Sequence, residues 1–395
     1  MPELLEQAQQ SPTTWKQLRP CIGKRGEWLI RQNPNWEHLI EEVDPELWRF
    51  GRKADRLRLL QHLRQSNPTQ GRELLESTWK KEGLRLKKQF LEQLEIGLTA
   101  TDEAFLEQCL DEGKKELRYI AAKLLVKVEN SAYQQRLLKR LKTVLTFQAE
   151  ANTSELLIEL PDQLEEEMIR DGIDPSIRWY PGGLKASRLG QMVALLPPAQ
   201  WQDLSSKTAK ATFDLFLANE YAAVLLQGLV ESLTLHQNEE WMTLILEHWM
   251  AHFDEKIWQK ISLQPLLEVL PNALFNRLTL AGLQSIVGLP EEQTPVDQLL
   301  KLSGQQWSDA LTQQFIQQLH QWMNSAEASS WGGWNIRQIL KQAAYQVNPQ
   351  LKEILSENWP VETTVWSGWE KEVGQFLQTL YFRQQMAAAF TEATT

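Results

Sequence analysis

Residues 105–128 read FLEQCLDEGKKELRYIAAKLLVKV and contain two short amphipathic segments separated by a charged turn. In the second segment the apolar residues from Leu117 to Val128 are spaced by three positions or by one. On a helix with about 3.6 residues per turn, these residues lie along one stripe. A helix this short cannot bury its apolar stripe alone, so it must pack against similar neighbours. The stretch therefore predicts an all-α fold built from helical repeats.

The same periodicity continues on both sides of this stretch. Between Leu47 and Lys142 it predicts a series of helices joined by turns of only a few residues. Connections this short force successive helices to lie antiparallel. We therefore expect an all-α, HEAT-like α-solenoid made of short antiparallel helix pairs. The predicted helices are Leu47–Gln65, Pro68–Glu82, Leu84–Leu98, Asp102–Leu110, Lys114–Val128 and Ser131–Lys142.

Repeated Asn-Pro and Asp-Pro pairs mark predicted helix starts. The Asn or Asp side chain can accept the free N–H groups of the first turn, and proline at the first helical position loses no hydrogen bond. Repeated starts of one kind predict many short helices. The pairs are Asn33-Pro34, Asp44-Pro45, Asn67-Pro68, Asp174-Pro175 and Asn348-Pro349.

The helical pattern is interrupted near residues 143–183. Thr143–Phe147 and Leu156–Leu160 have the composition of strands, which predicts a small β-hairpin or an irregular insertion. This interruption divides the chain into three parts. We expect an N-terminal HEAT-like domain at 1–145, a connector at 146–183, and an acidic, tryptophan-rich helical domain at 184–395.

Composition limits the class of protein. At 395 residues, with 42% hydrophobic and 23% charged residues, the chain has the make-up of a folded protein with more than one unit. Apolar runs such as 192–196 are much too short to span a bilayer, and the N-terminus lacks an export pattern, so a cytoplasmic location is expected. Cys21 and Cys109 lack CxxC spacing, which indicates free thiols.

Charge is distributed unevenly along the chain. Residues 1–150 contain 26 Lys+Arg and 22 Asp+Glu, whereas residues 151–395 contain 15 and 29. Such asymmetry indicates two surfaces with different partners, or one half that docks on the other. The pI near 5.3 argues against nonspecific coating of nucleic acid as the main role.

The best candidate for binding is a basic strip between residues 49 and 88. In an antiparallel stack its cations could form one concave surface for phosphate groups or for an acidic protein surface. The alternative interpretation is an ordinary solvated helix exterior. The strip comprises Arg49, Arg52, Lys53, Arg56, Arg85, Lys87 and Lys88.

Tryptophan is frequent, with 17 copies. Most are expected to fill the seams between helices, because tryptophan is large and suits packing interfaces. Others in the C-terminal half are expected to anchor a protein partner, as exposed tryptophan often does. The candidates are Trp331 and Trp334 first, with Trp359, Trp366 and Trp369 as further members of the group.

No set of residues has the pattern of a catalytic site. His248 and His252 have the i and i+4 spacing of metal ligands, but Trp249 stands where the metalloprotease motif HExxH has glutamate. We interpret the two histidines as a helix-packing pair, with a metal hydrolase as the alternative, and expect no enzyme activity, metal or cofactor. The glutamates at 165–167 and the carboxylates Asp171 and Asp174 are interpreted as a solvated acidic face.

Several segments in combination resemble a bacterial HEAT-like helical-repeat family of unknown function. The resemblance covers about residues 18–205. The segments are Gly23–Leu29, Asn33–Trp36, Arg72–Glu82, Leu98–Glu107, Leu110–Leu125, Asp171-Gly172 and Gln191–Trp201.

This resemblance implies a HEAT-like fold without assigned enzymatic activity. Members of that family tend to be encoded beside MoxR-type AAA+ ATPases, von Willebrand A-domain proteins and SWIM zinc-finger proteins, which implies an adaptor in an ATP-driven remodelling assembly. In HEAT-like repeats, an acid at the turn and an arginine in the second helix pair between layers. Asp111 and Arg118 match those positions, with Leu117 where valine is usual.

Two hypotheses about function follow from these observations. The leading one is a non-enzymatic scaffold or adaptor that binds a protein partner, an AAA+ ATPase or a von Willebrand A-domain protein. The alternative is a nucleic-acid-binding HEAT-like protein that uses the basic strip at 49–88. Charge distribution separates the two, because a nucleic-acid reader gathers most of its cations in one groove.

Overall fold

The computed structural model describes residues 2–10, 14–15, 18–33, 35–36, 46–149, 154–160, 164–178, 180–329 and 332–392. The chain divides into two compact units, Met1–Leu98 with Ala388–Thr395, and Thr99–Ala387. The described regular structure is helical apart from one two-stranded sheet. The predicted all-α, helical-repeat fold with a small hairpin insertion is therefore confirmed. Residues 146–183, predicted as a connector between domains, lie inside the second unit.

The first unit is built from short helices. Its described α-helices are α1 (Pro2–Gln10), α2 (Gly23–Gln32), α3 (Leu47–Phe50), α4 (Lys53–Ser66), α5 (Pro68–Thr78) and α6 (Leu84–Gln93). Single 3₁₀ turns lie before α2, at Arg19–Cys21, and after α5, at Trp79–Lys81.

Helices α4 and α6 lie side by side and run in the same direction. At their starts, the Arg56 guanidinium in α4 donates to the carboxylate of Glu82, two residues before α6, at 3.3 Å. At their ends, the fully buried Arg64 donates to backbone carbonyls of residues 94–97, which follow α6. Because buried carbonyls need hydrogen-bond donors, this one side chain satisfies several backbone carbonyls at the end of α6. Helix α5 connects the two parallel helices and packs against α4.

The helix predicted at 47–65 is interrupted at Gly51. This residue is extended, with φ −72° and ψ 159°, and its N–H closes α3 on the carbonyl of Leu47. A Cβ at Gly51 would lie 2.4 Å from that carbonyl oxygen. The chain then restarts at Arg52, whose N–H donates to the carboxylate of Asp55 in the first turn of α4. The interruption separates Arg49 on α3 from the basic residues at the start of α4.

The second unit contains a longer series of helices. Its described α-helices are α7 (Glu103–Leu110), α8 (Lys115–Leu125), α9 (Ala132–Val144), α10 (Glu166–Arg170), α11 (Gly183–Leu195), α12 (Gln200–Ser205), α13 (Ala209–Leu217), α14 (Ala222–His236), α15 (Glu239–Ala251), α16 (Gln264–Glu268), α17 (Asn272–Ser285), α18 (Pro295–Leu300), α19 (Asp309–Met323), α20 (Trp334–Gln346), α21 (Lys352–Leu355) and α22 (Trp366–Glu392) as far as Ala387. Further 3₁₀ turns lie at Ala100–Asp102, Trp258–Lys260 and Pro349–Leu351. Across the described ranges, no helix is both long and apolar enough to cross a membrane.

The stretch at 105–128 folds as two helices with a turn between them, as predicted. In α8, Leu117, Ala121, Leu124 and Leu125 are each less than 5% exposed. The apolar stripe that the spacing predicts is therefore the buried face of the helix. The apolar residues of α7 are buried as well, so the two short helices share one core.

Helices α11 and α14 pack tightly against each other. A Cβ on Gly228 would lie 2.7 Å from the carbonyl oxygen of Gly190, and one on Gly190 would lie 2.3 Å from the ring of Tyr180. Only hydrogen fits at both positions. The backbones therefore approach directly, and the Ser232 hydroxyl donates to the carbonyl of Leu196 at the end of the same pair.

The predicted hairpin is present at β1 (Leu145–Ala149) and β2 (Ser154–Ile158), two residues away from the predicted strand bounds. The strands are antiparallel, and Leu145 pairs with Ile158. Buried Leu156 fixes one face of the hairpin towards α13, and the Asn219 side chain donates to the Leu156 carbonyl at 2.6 Å.

The Asn-Pro and Asp-Pro pairs mark helix starts only in part. Asn67 caps α5 as predicted by accepting the N–H of Gln70, and Asn348 caps the 3₁₀ turn at Pro349–Leu351. The prediction is wrong at Asp174, whose carboxylate accepts the N–H and hydroxyl of Ser176 in a tight turn. At the two remaining pairs, Pro34 and residues 44–45 lie outside the described residues.

We predict that Gly228→Ala destabilises the protein by about 2 kcal/mol, because the added Cβ must displace a backbone carbonyl in a tight helix pair. The matched control is Gly113→Ala, since a Cβ there meets no atom within 4 Å. It should change the free energy of unfolding by less than about 0.5 kcal/mol. Urea denaturation of both variants tests this, and equal stabilities would contradict the close packing of α11 and α14.

Candidate partner-binding surfaces

Cationic side chains concentrate at one end of the first unit, where α4 and α6 both begin. The two helix starts lie together because the helices run in the same direction. Five of these cations form no ion pair with any residue in the part of the chain that the structure describes. With an exposed phenylalanine they form a surface that we call the basic end. It consists of Arg49, Phe50, Arg52, Lys53, Arg85 and Lys88.

The cations of the basic end oppose the local helix dipoles. Helix α6 has no acidic residue in its first turn, and Arg85 and Lys88 lie in its first two turns. Helix α4 begins with Arg52 and Lys53, balanced only by Asp55. A positive charge at a helix N-terminus is unfavourable by about 0.3–1 kcal/mol. The side chains and the helix ends therefore both favour an anionic group from outside.

Two residues of the predicted basic strip, Arg56 and Lys87, contact other side chains of the first unit. The Arg56 guanidinium binds Glu82 and lies over the rings of Trp48 and Phe90, at 4.5 and 5.1 Å. The Lys87 ammonium lies 4.7 Å from the ring centroid of Trp79. Arg56 is half-buried and joins α3, α4 and α6, so its contacts are those of a packing residue.

Phe50 is the residue of the basic end that the sequence pattern did not indicate. It is 82% exposed and lies between Arg49 and Arg52 in the chain. It is the last residue of α3, directly before the break at Gly51. Phenylalanine and arginine are both enriched at protein interfaces relative to the rest of the surface.

The tryptophans of the second unit separate into packed and exposed residues. Trp369 is fully buried under the Arg337 guanidinium, at 4.3 Å, and Trp359 is buried against His320. Trp334, at the start of α20, is 67% exposed and is available for a partner. Trp331, predicted as a partner contact with Trp334, lies outside the described residues.

Asp171 is the centre of an ion-pair cluster in the second unit. It is only 2% exposed, and its carboxylate accepts hydrogen bonds from Arg136, Arg140 and Arg170. Arg136 and Arg170 also bind Glu107, at 2.9 and 3.3 Å. The prediction of a solvated acidic face is therefore wrong for Asp171. Its partners on α9 lie 31 and 35 residues earlier in the chain, so local spacing does not show them.

Asp111 and Arg118, the predicted repeat-structural pair, have separate partners. The Asp111 carboxylate accepts a hydrogen bond from Arg170 Nε at 2.6 Å, and this bond lowers the pKa of Asp111. Arg118 donates to the backbone carbonyl of Glu112 at 3.3 Å. In this structure the arginine opposite Asp111 thus comes from α10, and Arg118 closes the turn before its own helix.

His248 and His252 stack on each other. Their ring centroids are 4.2 Å apart with 20° between the planes, and His248 also contacts Phe213 and Trp258. Burial lowers the pKa of His248, which favours the neutral ring. These ring contacts are those of a packed pair. Among the described residues, no group of three or more His, Cys, Asp or Glu side chains is placed to hold a metal ion.

The chain belongs to a family of unknown function (DUF5691), which matches residues 1–390. The match covers almost the whole chain, including the segments at 18–205. Comparisons with curated proteins and with solved structures found no match. The family description carries no activity, substrate or partner, so the surfaces themselves have to indicate the function.

The burial of His236, the last residue of α14, makes the stability of the fold depend on pH. Its Nε2 lies 3.4 Å from the carbonyl oxygen of Leu195. Burial lowers the pKa of His236 from 6.5 to about 4; the Leu195 carbonyl opposes this shift and Lys127 adds to it. The unfolded chain therefore binds a proton near pH 6.5 that the folded chain does not bind until near pH 4.

We predict that lowering the pH from about 7.5 to about 5 destabilises the wild type by about 2 kcal/mol more than it destabilises His236→Gln. The sign follows from the lowered pKa: this contribution is complete above the unfolded pKa and is lost as pH falls towards the folded value. Urea denaturation at both pH values measures it. An identical pH response of the two proteins would show that His236 is not buried as a neutral ring.

Proposed function

We propose that this member of the DUF5691 family is a non-enzymatic, cytoplasmic helical-repeat scaffold that binds a protein partner at the basic end. The observation that carries the proposal is a set of five cations that form no ion pair among the described residues, together with exposed Phe50, at two helix starts. A carboxylate-rich segment with an apolar residue would satisfy both features. Cations at helix starts do not stabilise the helices, and an exposed phenylalanine buries little surface, so binding is the better explanation.

A protein partner fits the charge of this surface better than a nucleic acid does. Proteins that bind duplexes tightly make about 6–10 phosphate contacts, and their affinity depends on all of them. The basic end supplies five cations, and the chain as a whole carries a net charge of −10. For a protein partner, a few anchors such as Phe50 and its neighbouring arginines are sufficient, because such residues dominate interface energies.

The identity of the partner rests on the family resemblance. We propose that it is a MoxR-type AAA+ ATPase or a von Willebrand A-domain protein, and that the scaffold presents one component of such an assembly to another. The exposed Trp334 in the second unit supports a second contact with a partner. A scaffold of this kind needs no catalytic residues of its own.

The nucleic-acid alternative also has a specific observation in its favour. Helix N-termini bind phosphate groups through their free N–H groups and dipoles. The basic end places two such N-termini together with arginine and lysine side chains, and Phe50 could stack on a base. This alternative requires binding that weakens steeply as salt increases.

We predict that the triple variant Arg52→Glu/Lys53→Glu/Arg85→Glu loses the partner that the wild type captures from nuclease-treated native lysate. The reversed charges repel a carboxylate-rich segment, and the recovered amount of the ATPase or A-domain protein should fall at least about tenfold. Quantitative mass spectrometry of affinity-purified protein measures this. The matched control, Lys256→Glu/Lys260→Glu/Lys371→Glu, reverses three exposed cations of the second unit and should retain the partner.

Two outcomes would reverse the proposal. If both triple variants retain the same proteins as the wild type, the basic end is not the binding surface. If untreated lysate yields only nucleic acid, and a labelled DNA duplex of about 30 base pairs binds the purified wild type but not the basic-end variant, the alternative function replaces the scaffold.

A further inference from the structure

The second unit contains a groove where the end of α15, one face of α17 and the start of α18 come together. Its volume is about 590 Å³, within the range of about 300–1,000 Å³ that is usual for binding sites. We call it the apolar groove, because most of its lining is hydrophobic. The main apolar lining residues are Met250, Phe253, Leu278, Ala281, Leu289 and Val296.

The packing of the three helices fixes the floor of the apolar groove. A Cβ on Gly282 of α17 would lie 2.7 Å from the side chains of both Met250 and Val296. The absence of a side chain at this position lets α17 lie directly against residues of α15 and α18. The groove is therefore a consequence of close helix packing and keeps its shape as long as these helices are folded.

Apolar side chains on the rim of the groove remain in water. Val287, in the segment between α17 and α18, is completely exposed, and Phe253, just after α15, is 38% exposed. The exposed part of each side chain does not contribute to the hydrophobic core. Exposed apolar residues that adjoin an apolar groove form a contiguous patch of the kind that marks interaction sites.

The charged residues that line the groove are mainly acidic. Arg277 is already engaged, since it donates to the Thr243 hydroxyl at 2.8 Å and lies 3.5 Å from the Glu247 carboxylate. The carboxylate of Glu291 forms no ion pair within the described residues. The surrounding unit, residues 99–387, contains 24 Lys+Arg and 36 Asp+Glu. A cationic partner is therefore favoured over an anionic one.

We propose that the apolar groove binds a helical segment of a partner protein in which an apolar ridge is flanked by lysine or arginine. An amphipathic helix that lays its apolar face into a hydrophobic groove is a recurring mode of recognition. Apolar side chains of the segment would replace water over Leu278, Ala281 and Val296. The flanking cations would approach Glu291, since Glu247 already faces Arg277.

This site is independent of the basic end and has the opposite charge preference. The basic end favours an acidic segment, whereas the apolar groove favours a basic one. Substitutions can therefore abolish binding at one of these sites without altering the other site. Together they would let one chain hold two different segments.

The test uses the full chain and a fluorescein-labelled peptide of about 16 residues, long enough to form a helix. One peptide has leucines on one helical face and lysines on the other, and a second has glutamates in place of the lysines. Fluorescence anisotropy measures the affinity of each. The lysine peptide should bind the wild type at least about tenfold more tightly than the glutamate peptide.

Variants then locate the binding site. Ala281→Trp fills the groove from an exposed helix position and should weaken binding of the lysine peptide at least about tenfold. Gln284→Trp is the matched control, because Gln284 is exposed on the same helix but does not line the groove. Glu291→Lys should weaken binding of the lysine peptide without weakening that of the glutamate peptide. Circular dichroism confirms that all variants are folded.

Several results would overturn this proposal. They are the absence of binding by the wild type, equal affinity for both peptides, and equal affinities of Ala281→Trp and Gln284→Trp for the lysine peptide. Self-association of the wild type that Ala281→Trp abolishes in sedimentation would identify a second copy of the chain as the occupant. The triple variant of the basic end should bind the lysine peptide normally, so failure of the groove is distinguishable from failure of the proposed function.

Discussion

Short helices that must share their apolar faces are the constraint on which this structure depends. Apart from α22, the described helices have at most 15 residues, so none can bury its stripe alone. Close packing of many short helices also creates many helix ends whose polar groups need partners. Arg64 meets this need in the first unit by binding several carbonyls. In the second unit, Gly228 allows two helices to meet at backbone distance.

Many charged side chains of the sequence form ion pairs within the fold and are therefore not available to bind a partner. In the second unit, Arg136, Arg140 and Arg170 are all directed at Asp171 and its neighbours, so these cations serve the fold. In the first unit, the five cations of the basic end form no ion pair within the described part of the chain. A buried ion-pair cluster contributes little net stability but holds its helices in one arrangement if its geometry is specific. Unpaired cations at helix starts instead favour an external anion.

Periodicity was sufficient to predict the fold class, because it reports which face of each helix is buried. It placed the helices at 105–128 and the hairpin near 145–158 within a few residues. Local sequence could not show contacts between residues far apart in the chain. Asp171 therefore looked solvated although three arginines surround it, and Arg56 looked available although it packs on Trp48 and Phe90. The apolar groove depends on the packing of three helices, and no sequence motif predicts it.

The central claim is that the basic end meets an acidic protein segment. The most direct measurement replaces Phe50 with a photo-reactive phenylalanine analogue in cells that naturally make the protein, with the exposed Tyr345 position as control. Irradiation followed by mass spectrometry identifies what lies against each position. The account predicts a cross-link from position 50 to a carboxylate-rich segment of one protein, absent from position 345. A cross-link to nucleic acid, or the same diffuse products at both positions, would contradict it.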